Sequence, residues 1–567
     1  MKLNKLFIAF SFAGLLSGCD YLDFDESQGK TKEEAYAYFE NIKSLANAAY
    51  RKLPSDFGAI GGALRESATD NSTFTWESNA VYKMYNNTWS PLNLIDNQWG
   101  NYYEVIHDIN SFFENYSEEN LQRYAWSSNY EEEIKKARMY SNELVVLRAL
   151  YYFELVKRYK DVPLLKNTLT PEEANKVKKT PFNEVIAFIV QQCDSVANSL
   201  PTDHASFFEE TGRVTKGAAM AIKARALLYA ASPLFSEGQD EMKGWEAAAR
   251  ASMDIIKTGI YSLPNIDSDP LYNKEGGNNL FKSKQMIFET RGGENNSFEA
   301  RNLPIGFKGF EISGGNTPTQ NLVDAFETKN GYSVKLVGNT WVTDAPDFDQ
   351  TKPYANRDPR FYKNIMYNGD TFMEEKVETF AGGKHGLPTD GATLTGYYMK
   401  KLINETVNLS PTNNVKKFHH YPSYRYAEVL LNYAEAMNEW KGPDYSDGEF
   451  HLSARAALNQ VRKAANMPDV KAANQDEFRE KVRNERRVEL AFEGHRFWDI
   501  RRWKIGDVVK EIYGVEIQNN GGTLTYTAKK IQDRVWEDKM YLYPIPQKEV
   551  YINPENLTQN PGWEINN

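Results

Sequence analysis

The sequence predicts a mostly α-helical protein, in which a scaffold of paired helices carries a loop-rich half of mixed α/β structure. Two observations lead to this prediction. Apolar residues recur at helical intervals in three stretches, near 31–53, 95–258 and 424–510. In the stretches between them, near 54–94 and 260–421, this period fades and Gly, Asn, Pro and Asp become frequent. We therefore expect residues 31–567 to form one domain with a helical part and a loop-rich part.

A short motif that recurs within the helical stretches indicates stacked helix pairs. It reads Arg-Ala-Leu-Tyr from Arg148, Arg-Ala-Leu-Leu-Tyr from Arg225 and Arg-Ala-Ala-Leu from Arg455. Small alanines on one helix face let a neighbouring helix approach closely, and Leu and Tyr fill the groove beside it. The scaffold is therefore expected to be tetratricopeptide-like. The first two motifs are not separated by a multiple of about 34 residues, so any repeats are divergent and interrupted.

The N-terminal residues indicate export. Two lysines precede an apolar run, residues 6–16, that is too short to span a bilayer. The run ends in Leu-Ser-Gly-Cys, which resembles a bacterial lipobox with Cys19 as the lipidated residue. We expect residues 1–18 to be a signal peptide and the acidic residues 19–30 to be a lipidated tether. An ordinary signal peptide with a chance cysteine is the alternative.

The helical part begins with a capping-box pattern, in which Thr31 is followed three residues later by Glu34. Five further helices are predicted in succession, in the segments that start WGNYYEV, NELVVLR, FNEVIAF, RVTKGAA and WEAAARA. Helices resume after the long loop-rich stretch with YRYAEVL, HLSARAA and NQDEFRE. Four prolines among residues 541–563 predict an extended C-terminal strap over the surface.

Composition excludes some functions and favours others. The net charge is −10 and no basic run stands out, so no nucleic-acid partner is expected. Aromatic residues form 13% of the chain, and many stand beside Asn, Gly and Ser, which favours a surface that recognises a ligand. Once Cys19 is lipidated, Cys193 lacks a disulfide partner and is expected to be a buried free thiol. No cofactor is expected.

A metal site is not predicted either. The acidic stretch with Asp344, Asp347 and Asp349 offers oxygen ligands. It lacks the glycine at position six and the glutamate at position twelve that a calcium loop of the EF-hand kind requires. We interpret it as a solvated acidic loop.

Four long segments, in order along the chain, resemble one family. They are RALYYFELVKRYKDVPL (148–164), YRYAEVLLNYAEAMNE (424–439), RRVELAFEGHRFWDIRRW (486–503) and the closing YPIPQKEV…NPENLTQNPGW. Together with the lipobox they resemble the SusD/RagB family of outer-membrane nutrient-binding lipoproteins from Bacteroidetes.

The resemblance implies a lipid-anchored protein on the extracellular face of the outer membrane, built on tetratricopeptide-like helix pairs. Members form a lid on a SusC-like TonB-dependent transporter. They capture glycans or, in the RagB branch, peptides, and they have no catalytic activity. A surface glycoside hydrolase is the enzyme alternative, but the carboxylate pairs of this chain fall on predicted helices, where they have structural explanations.

The resemblance also implies a ligand platform in the first loop region. In the starch-binding member a Trp and, three residues later, an Asn follow a Thr-Asp pair, and Asp70, Trp76 and Asn79 stand at the same offsets here. Trp76 would stack on a sugar ring, and Asn79 would exchange hydrogen bonds with hydroxyl groups. Asp70 would accept from a hydroxyl or stabilise a turn. The alternative for Trp76 is a packing role.

Other candidate contacts are loop residues that are aromatic or polar. Tyr82 and Tyr85 lie in the same loop region as Trp76. Phe298, Arg301 and Asn302 lie where family members place further ligand contacts, and Trp341 is a ring in a polar setting.

The stretch VELAFEGHRFWDIRRW (488–503) has the residue density of an active site. Glu489 and Glu493 are four residues apart and are expected to share a helix face that Gly494 ends. Five nearby arginines can pair with every acid, which disfavours a metal. We therefore interpret the stretch as a structural charge network that locks a helix corner.

Overall fold

The computed structural model describes residues 32–203, 210–238 and 240–565. The predicted signal peptide, the lipobox with Cys19 and the capping residue Thr31 lie outside these residues. Helices make up 42% of the structure and strands 12%, so the predicted mostly helical fold is confirmed.

The helices of the first half are α1 (Lys32–Ala35), α2 (Phe39–Tyr50), α3 (Tyr82–Tyr85), α4 (Trp99–Asn115), α5 (Tyr130–Tyr159), α6 (Pro171–Ala174), α7 (Phe182–Val196), α8 (Lys216–Ala231) and α9 (Glu241–Lys257). Those of the second half are α10 (Ser297–Asn302), α11 (Gln320–Val323), α12 (Pro359–Asn364), α13 (Tyr426–Lys441), α14 (Ala454–Ala464), α15 (Gln475–Glu489), α16 (His495–Arg502) and α17 (Gln547–Ile552). The five successive helices predicted before residue 258 are therefore present as α4, α5, α7, α8 and α9.

Each long helix packs against its neighbours in the chain, as expected of stacked helix pairs. α5 contacts α2, α4 and α7, and the row continues through α8 and α9 to α13, which in turn contacts α14 and α15. α8 shows why such close contact is possible, because its buried face is rich in alanine, including Ala218, Ala221 and Ala224. Cys193 is buried in α7 as a free thiol, as predicted, and burial raises its pKa to about 12.

The strands are short and pair in antiparallel ladders of two. They are β1 (Ser72–Phe74), β2 (Met286–Thr290), β3 (Glu294–Asn295), β4 (Asn316–Pro318), β5 (Lys335–Val337), β6 (Thr340–Val342), β7 (Ile365–Met366), β8 (Thr371–Phe372), β9 (Glu375–Lys376), β10 (Tyr398–Met399), β11 (Lys417–Phe418), β12 (Tyr421–Arg425), β13 (Glu511–Asn520) and β14 (Thr523–Asp533). The β1–β4 ladder joins the two loop-rich stretches of the sequence, with Ser72 opposite Pro318 and Phe74 opposite Asn316.

Two apolar cores correspond to the two parts of the chain. The first lies between the helices, and the second lies in the loop-rich half, around Phe326, Phe361 and Tyr397. The second core also receives Val515 and Ile517 from β13, so the C-terminal hairpin closes this half. Within the described ranges, no helix combines the length and the apolar content needed to cross a bilayer.

Three boundaries differ from the sequence-based expectation. The helix predicted from residue 31 is broken into α1 and α2 by a turn at residues 36–38. Residues 511–533, to which no element was assigned, form the longest hairpin, β13–β14. The predicted strap contains the helix α17, which starts directly after Pro546, where a missing N–H costs no helical hydrogen bond.

Candidate functional site

Trp76 follows β1 directly and lies at the surface, partly exposed. Its indole Nε1 donates to the carbonyl oxygen of Ser313 at 2.5 Å. The six-membered ring rests on Gly391, where a Cβ atom would lie only 2.6 Å from Cζ2. A glycine at this position therefore allows a flat backbone contact under the ring. The result is a fixed, partly exposed aromatic ring, which is the geometry that a stacking platform requires.

Asn79 lies in the turn after Trp76 and is also partly exposed. Its Nδ2 donates to the carbonyl of Gly61 at 2.9 Å, and its Oδ1 accepts from the backbone N–H of Val81 at 2.9 Å. The side chain therefore ties the Trp76 loop to the loop that contains Gly61. An amide oxygen accepts up to two hydrogen bonds and an amide nitrogen donates two, so each atom keeps one position for a ligand.

Arg301, in α10, packs against the same glycine loop. Added Cβ atoms at Gly58 and Gly62 would lie 3.1 and 2.9 Å from its guanidinium nitrogens. The backbone carbonyl oxygen of Arg301 accepts from the N–H of Gly315 at 2.6 Å. Gly315 is two residues after Ser313, whose carbonyl oxygen accepts from Trp76. We call the surface formed by Trp76, Asn79, Arg301 and the glycines 58, 61 and 62 the shelf.

Tyr82 lies in α3 behind Trp76 and is partly exposed. Its hydroxyl donates to the carbonyl of Phe74 at 2.9 Å, and its ring centroid lies 4.7 Å from that of Tyr85. Burial of part of the ring raises the pKa of Tyr82, so the phenol stays neutral at physiological pH. Tyr82 therefore extends the surface beyond Trp76 with a neutral, amphipathic ring.

Three of the predicted contacts lie instead in the interior, and they support the shelf. The Asp70 carboxylate pairs with Arg496 at 2.8 Å and with Arg487 at 2.9 Å. Burial alone would raise the pKa of Asp70, but the two guanidinium groups outweigh it and hold the pKa below its ordinary value. The Tyr85 hydroxyl donates to Ser67 O at 2.6 Å. The buried Asn302 bonds Asn316 of β4 at 2.7 Å.

Two further predictions are corrected because both rings belong to the second core. The Phe298 ring is 5% exposed and packs edge-on against Phe57, with centroids 4.7 Å apart. Trp341 is 4% exposed and contacts the rings of Tyr354 and Tyr526. The contact assignments of Asp70, Tyr85, Phe298, Asn302 and Trp341 are therefore wrong for this structure, since these side chains leave no surface for a ligand.

The charge network predicted for residues 488–503 is confirmed by its ion pairs. Arg425 bonds Glu489 and Glu493, each at 2.7 Å, and Lys401 bonds Glu493 at 2.6 Å. Burial, followed by the charge of Arg486, holds the pKa of His495 far below its ordinary value, so this histidine is neutral.

One detail of that prediction is wrong. α15 ends at Glu489, so Glu493 lies on the following turn and not on the same helix. The chain leaves α15 through a turn at residues 490–494, in which Phe492 has a φ of +61°, and this turn lets both carboxylates reach Arg425.

The network reaches the shelf through Asp70 and Asn71, since Arg487 also donates to the amide oxygen of Asn71 at 2.6 Å. Arg487 of α15 and Arg496 of α16 both hold Asp70, two residues before β1 begins. The segment 486–503 therefore positions the loop that carries Trp76. The described residues contain no group of three or more His, Cys, Asp or Glu side chains that could hold a metal ion.

Sequence reasoning missed the backbone part of the shelf. Gly62 and Gly391 allow close backbone contact with Arg301 and Trp76, and Ser313 provides a carbonyl oxygen to Trp76. None of the three is among the site residues predicted from the sequence. The cluster Gly58, Gly61 and Gly62 was a detectable signal, because glycines in a loop favour close backbone approach. Ser313 acts through its carbonyl, so its side chain gave no signal.

Comparison with known proteins places these features in a class. A family model described as starch-binding and associating with the outer membrane matches residues 20–228, and the SusD family model matches residues 285–563. These matches define a class of binding proteins associated with the outer membrane, and neither is a match to an enzyme family. The chain belongs to the SusD-like family.

Solved structures and curated relatives agree with this membership. A SusD-like protein from Bacteroides fragilis NCTC 9343 is similar with a TM-score of 0.75 and 27% identity, over 95% of this chain and 99% of that one. A SusD-like carbohydrate binding protein from the same strain has a TM-score of 0.70 and 26% identity, over 92% and 99%. SusD-like protein P2 of Formosa agariphila is 25% identical over 425 residues, which are 73% of this chain and 72% of the relative.

Proposed function

We propose that this protein is a cell-surface glycan-binding lipoprotein that captures an oligosaccharide or polysaccharide without chemically changing it. The observation that carries the proposal is the ring of Trp76, which is fixed from below by Gly391 and Ser313 and left partly exposed above. The C–H groups of a sugar ring carry a weak positive charge that complements the negative face of an indole. Membership of a family described as starch-binding, and likeness to a carbohydrate binding protein, support the same conclusion.

Polar groups beside Trp76 suit the hydroxyls of the same ligand. Asn79 keeps one donor and one acceptor position, and Arg301 offers a planar set of N–H donors. Tyr82 adds a second, neutral ring. A flat surface with two rings and a few amide and guanidinium groups recognises a chain of sugars side-on, whereas an enclosed cavity would select a single small molecule.

The two buried acids beneath the shelf take no part in catalysis. Asp70 is buried and paired with two guanidinium groups, so it is ionised and cannot donate a proton to a glycosidic oxygen. Glu66 is fully buried and cannot reach a ligand at the surface.

The proposal includes an export route and a partner. The lipobox-like Leu-Ser-Gly-Cys would place a lipid on Cys19 and anchor the protein to the extracellular face of the outer membrane. The captured glycan would pass to a SusC-like TonB-dependent transporter, as the family resemblance implies. Copurification of this transporter with the tagged, lipidated protein from its native membrane tests that step directly.

The central test compares two tryptophans by alanine substitution. Trp76→Ala is expected to weaken glycan binding at least fivefold, because loss of ring stacking costs about 1 kcal/mol or more. Trp126→Ala is the matched control, since its side chain is 83% exposed on the helical half. Isothermal titration with oligosaccharides selected on a glycan array gives both affinities.

An affinity that is unchanged by Trp76→Ala, or lowered equally by Trp126→Ala, would exclude the shelf as the binding site. Chromatography of the glycan after long incubation with the protein tests the absence of catalysis, and shortened products would indicate a hydrolase. Selective capture of peptides over glycans would support the RagB-like alternative.

A further inference from the structure

Arg301 is an unusual arginine in this protein because its charge is not balanced. It is partly buried, yet its guanidinium forms no hydrogen bond and no ion pair with any residue that the structure describes. Its nitrogens are not among the fully buried side-chain atoms of the described residues, so they remain open to solvent and to a ligand.

The buried arginines without an acid partner, by contrast, are hydrogen-bonded to neutral oxygens. Arg357 donates to the carbonyls of Val323 and Phe326, both at 2.8 Å. Arg534 donates to Thr69 O at 2.7 Å, and Arg148 donates to the amide oxygen of Asn110 at 2.7 Å. Their charges serve the fold. Arg301 makes no such contact with any residue that the structure describes.

The glycine loop holds the guanidinium of Arg301 near the predicted platform. Gly62 lies against the Nε atom of Arg301, and the adjacent Gly61 accepts from the amide of Asn79. Gly58 and Gly62 have φ values of +71° and +105°, and side chains at these positions would collide with the guanidinium. The glycines therefore create the space in which Arg301 stands, on the opposite side of one loop from Asn79.

Two acids at the rim bear on which ligand fits. Glu77 and Asp390 are exposed neighbours of Trp76 and of Gly391, so the edge of the shelf near the indole is acidic. They keep their hydration and do not approach Arg301 within ion-pair distance. A ligand that carries one negative group toward Arg301 and neutral hydroxyls toward Trp76 matches this arrangement of charges.

We propose that the shelf selects an acidic glycan, in which a carboxylate or sulfate group on one sugar pairs with the guanidinium of Arg301 while a neighbouring ring stacks on Trp76. An arginine guanidinium forms two parallel hydrogen bonds with either group, so the fork geometry suits both. This inference rests on the proposed glycan-binding function and specifies its ligand class.

The test uses pairs of probes that differ only in charge. Oligogalacturonate is compared with its methyl ester, and a sulfated galactan oligosaccharide with its desulfated form, by titration against the mature wild-type protein. We expect the charged member of one pair to bind at least tenfold more tightly, and its affinity to fall as salt is raised from 50 to 500 mM. The two pairs show whether the anion is a carboxylate or a sulfate.

Variants then assign the effect to Arg301. Arg301→Met keeps the length and apolar stem of the side chain, and we expect it to abolish the difference between charged and neutral probes, by weakening the charged probe at least tenfold and the neutral probe much less. Arg301→Lys retains the charge without the fork and is expected to recover part of the difference. Arg123→Met, at an exposed arginine of the helical half, is the control that should change nothing.

The outcomes separate this inference from the proposed function. If neutral glycans bind through Trp76 and neither charged probe binds more tightly, the acidic-ligand inference is overturned and the glycan-binding function stands. If no glycan binds while acidic peptides do, both are overturned. If Arg301→Met loses charged and neutral ligands equally, Arg301 holds hydroxyls and not an anion, and the inference is likewise overturned.

Discussion

Two regions of this protein collect arginines, and they use them in opposite ways. Around α15 and α16 most of the buried guanidinium groups are paired with carboxylates, as that of Arg425 is with Glu489 and Glu493. On the shelf, Arg301 is partly buried and meets none. The dense region resembles an active site in sequence and acts as a structural lock. On the shelf, the guanidinium of Arg301 is unpaired, and a ligand can pair with it. An unpaired charged group therefore indicates the binding site better than a high density of charged residues does.

The largest effect is expected where a buried pair is broken. Arg425→Met removes one cation from each of the buried acids Glu489 and Glu493, which keep only Arg360 and Lys401 respectively as ion-pair partners. Breaking such a pair on one side costs about 3–5 kcal/mol of unfolding free energy. Arg301→Met, with no partner to strand, should cost less than about 1 kcal/mol. Urea unfolding at pH 7 measures both, and equal losses would contradict the distinction between the two regions.

A smaller, pH-dependent effect is expected at a buried acid that has no cation. Burial raises the pKa of Glu66 from 4.5 to about 7, against the hydrogen bond from Asn71. Between these two pH values the folded protein holds a proton that the unfolded chain has released, so stability falls as the pH rises from about 4.5 to 7. By pH 8 the loss amounts to about 3 kcal/mol.

Glu66→Gln should remove its own share of the decline, to which Glu289 also contributes because burial raises its pKa to about 7. The unfolding free energy at pH 5 and pH 8 measures the change. Glu77→Gln, an exposed acid in the same loop region, should leave the slope as it is. Glu489 titrates in the opposite sense, since its cations outweigh burial and lower its pKa to about 2. Its contribution is present above pH 4.5 and is lost only as the pH falls toward 2. A slope that Glu66→Gln leaves intact would place the proton elsewhere.

A last pair of variants tests the shelf, and each is expected to cost about 1 kcal/mol of unfolding free energy. Gly62→Ala and Gly522→Ala both force a side chain onto a positive φ, +105° and +96°, so the backbone cost is matched. An added Cβ meets Arg301 only at Gly62, whereas nothing lies within 4 Å at Gly522. We expect Gly62→Ala alone to weaken binding of the preferred oligosaccharide, measured by titration. Equal affinities for the two variants would show that the position of Arg301 does not matter.

Much of the fold could be predicted because helical periodicity is local. The five helices α4, α5, α7, α8 and α9 follow from apolar spacing alone, and the burial of Trp99 at the start of α4 agrees with that pattern. The β13–β14 hairpin also had a local signal, since Asn519 to Gly522 form a turn sequence between two alternating strands. That signal was overlooked in a stretch treated as the end of the scaffold.

The buried members of the candidate site could not be predicted for a physical reason. Trp341 stands among polar residues in the sequence, and the rings that bury it come from Tyr354 and from Tyr526 of the overlooked hairpin. Asp70 meets Arg496, which is 426 residues away. Local composition says which side chains can bind, but distant partners decide which remain free to do so.

The shelf side chains are held by main-chain oxygens, and this has a consequence for how the protein can diverge. Trp76, Asn79 and Tyr82 donate to the carbonyls of Ser313, Gly61 and Phe74 respectively. A carbonyl is present whichever residue occupies its position, so substitutions at positions such as 313 preserve the anchorage of the ring. Substitutions at the rim of this surface can therefore change the ligand specificity during evolution, while the same anchored ring is retained.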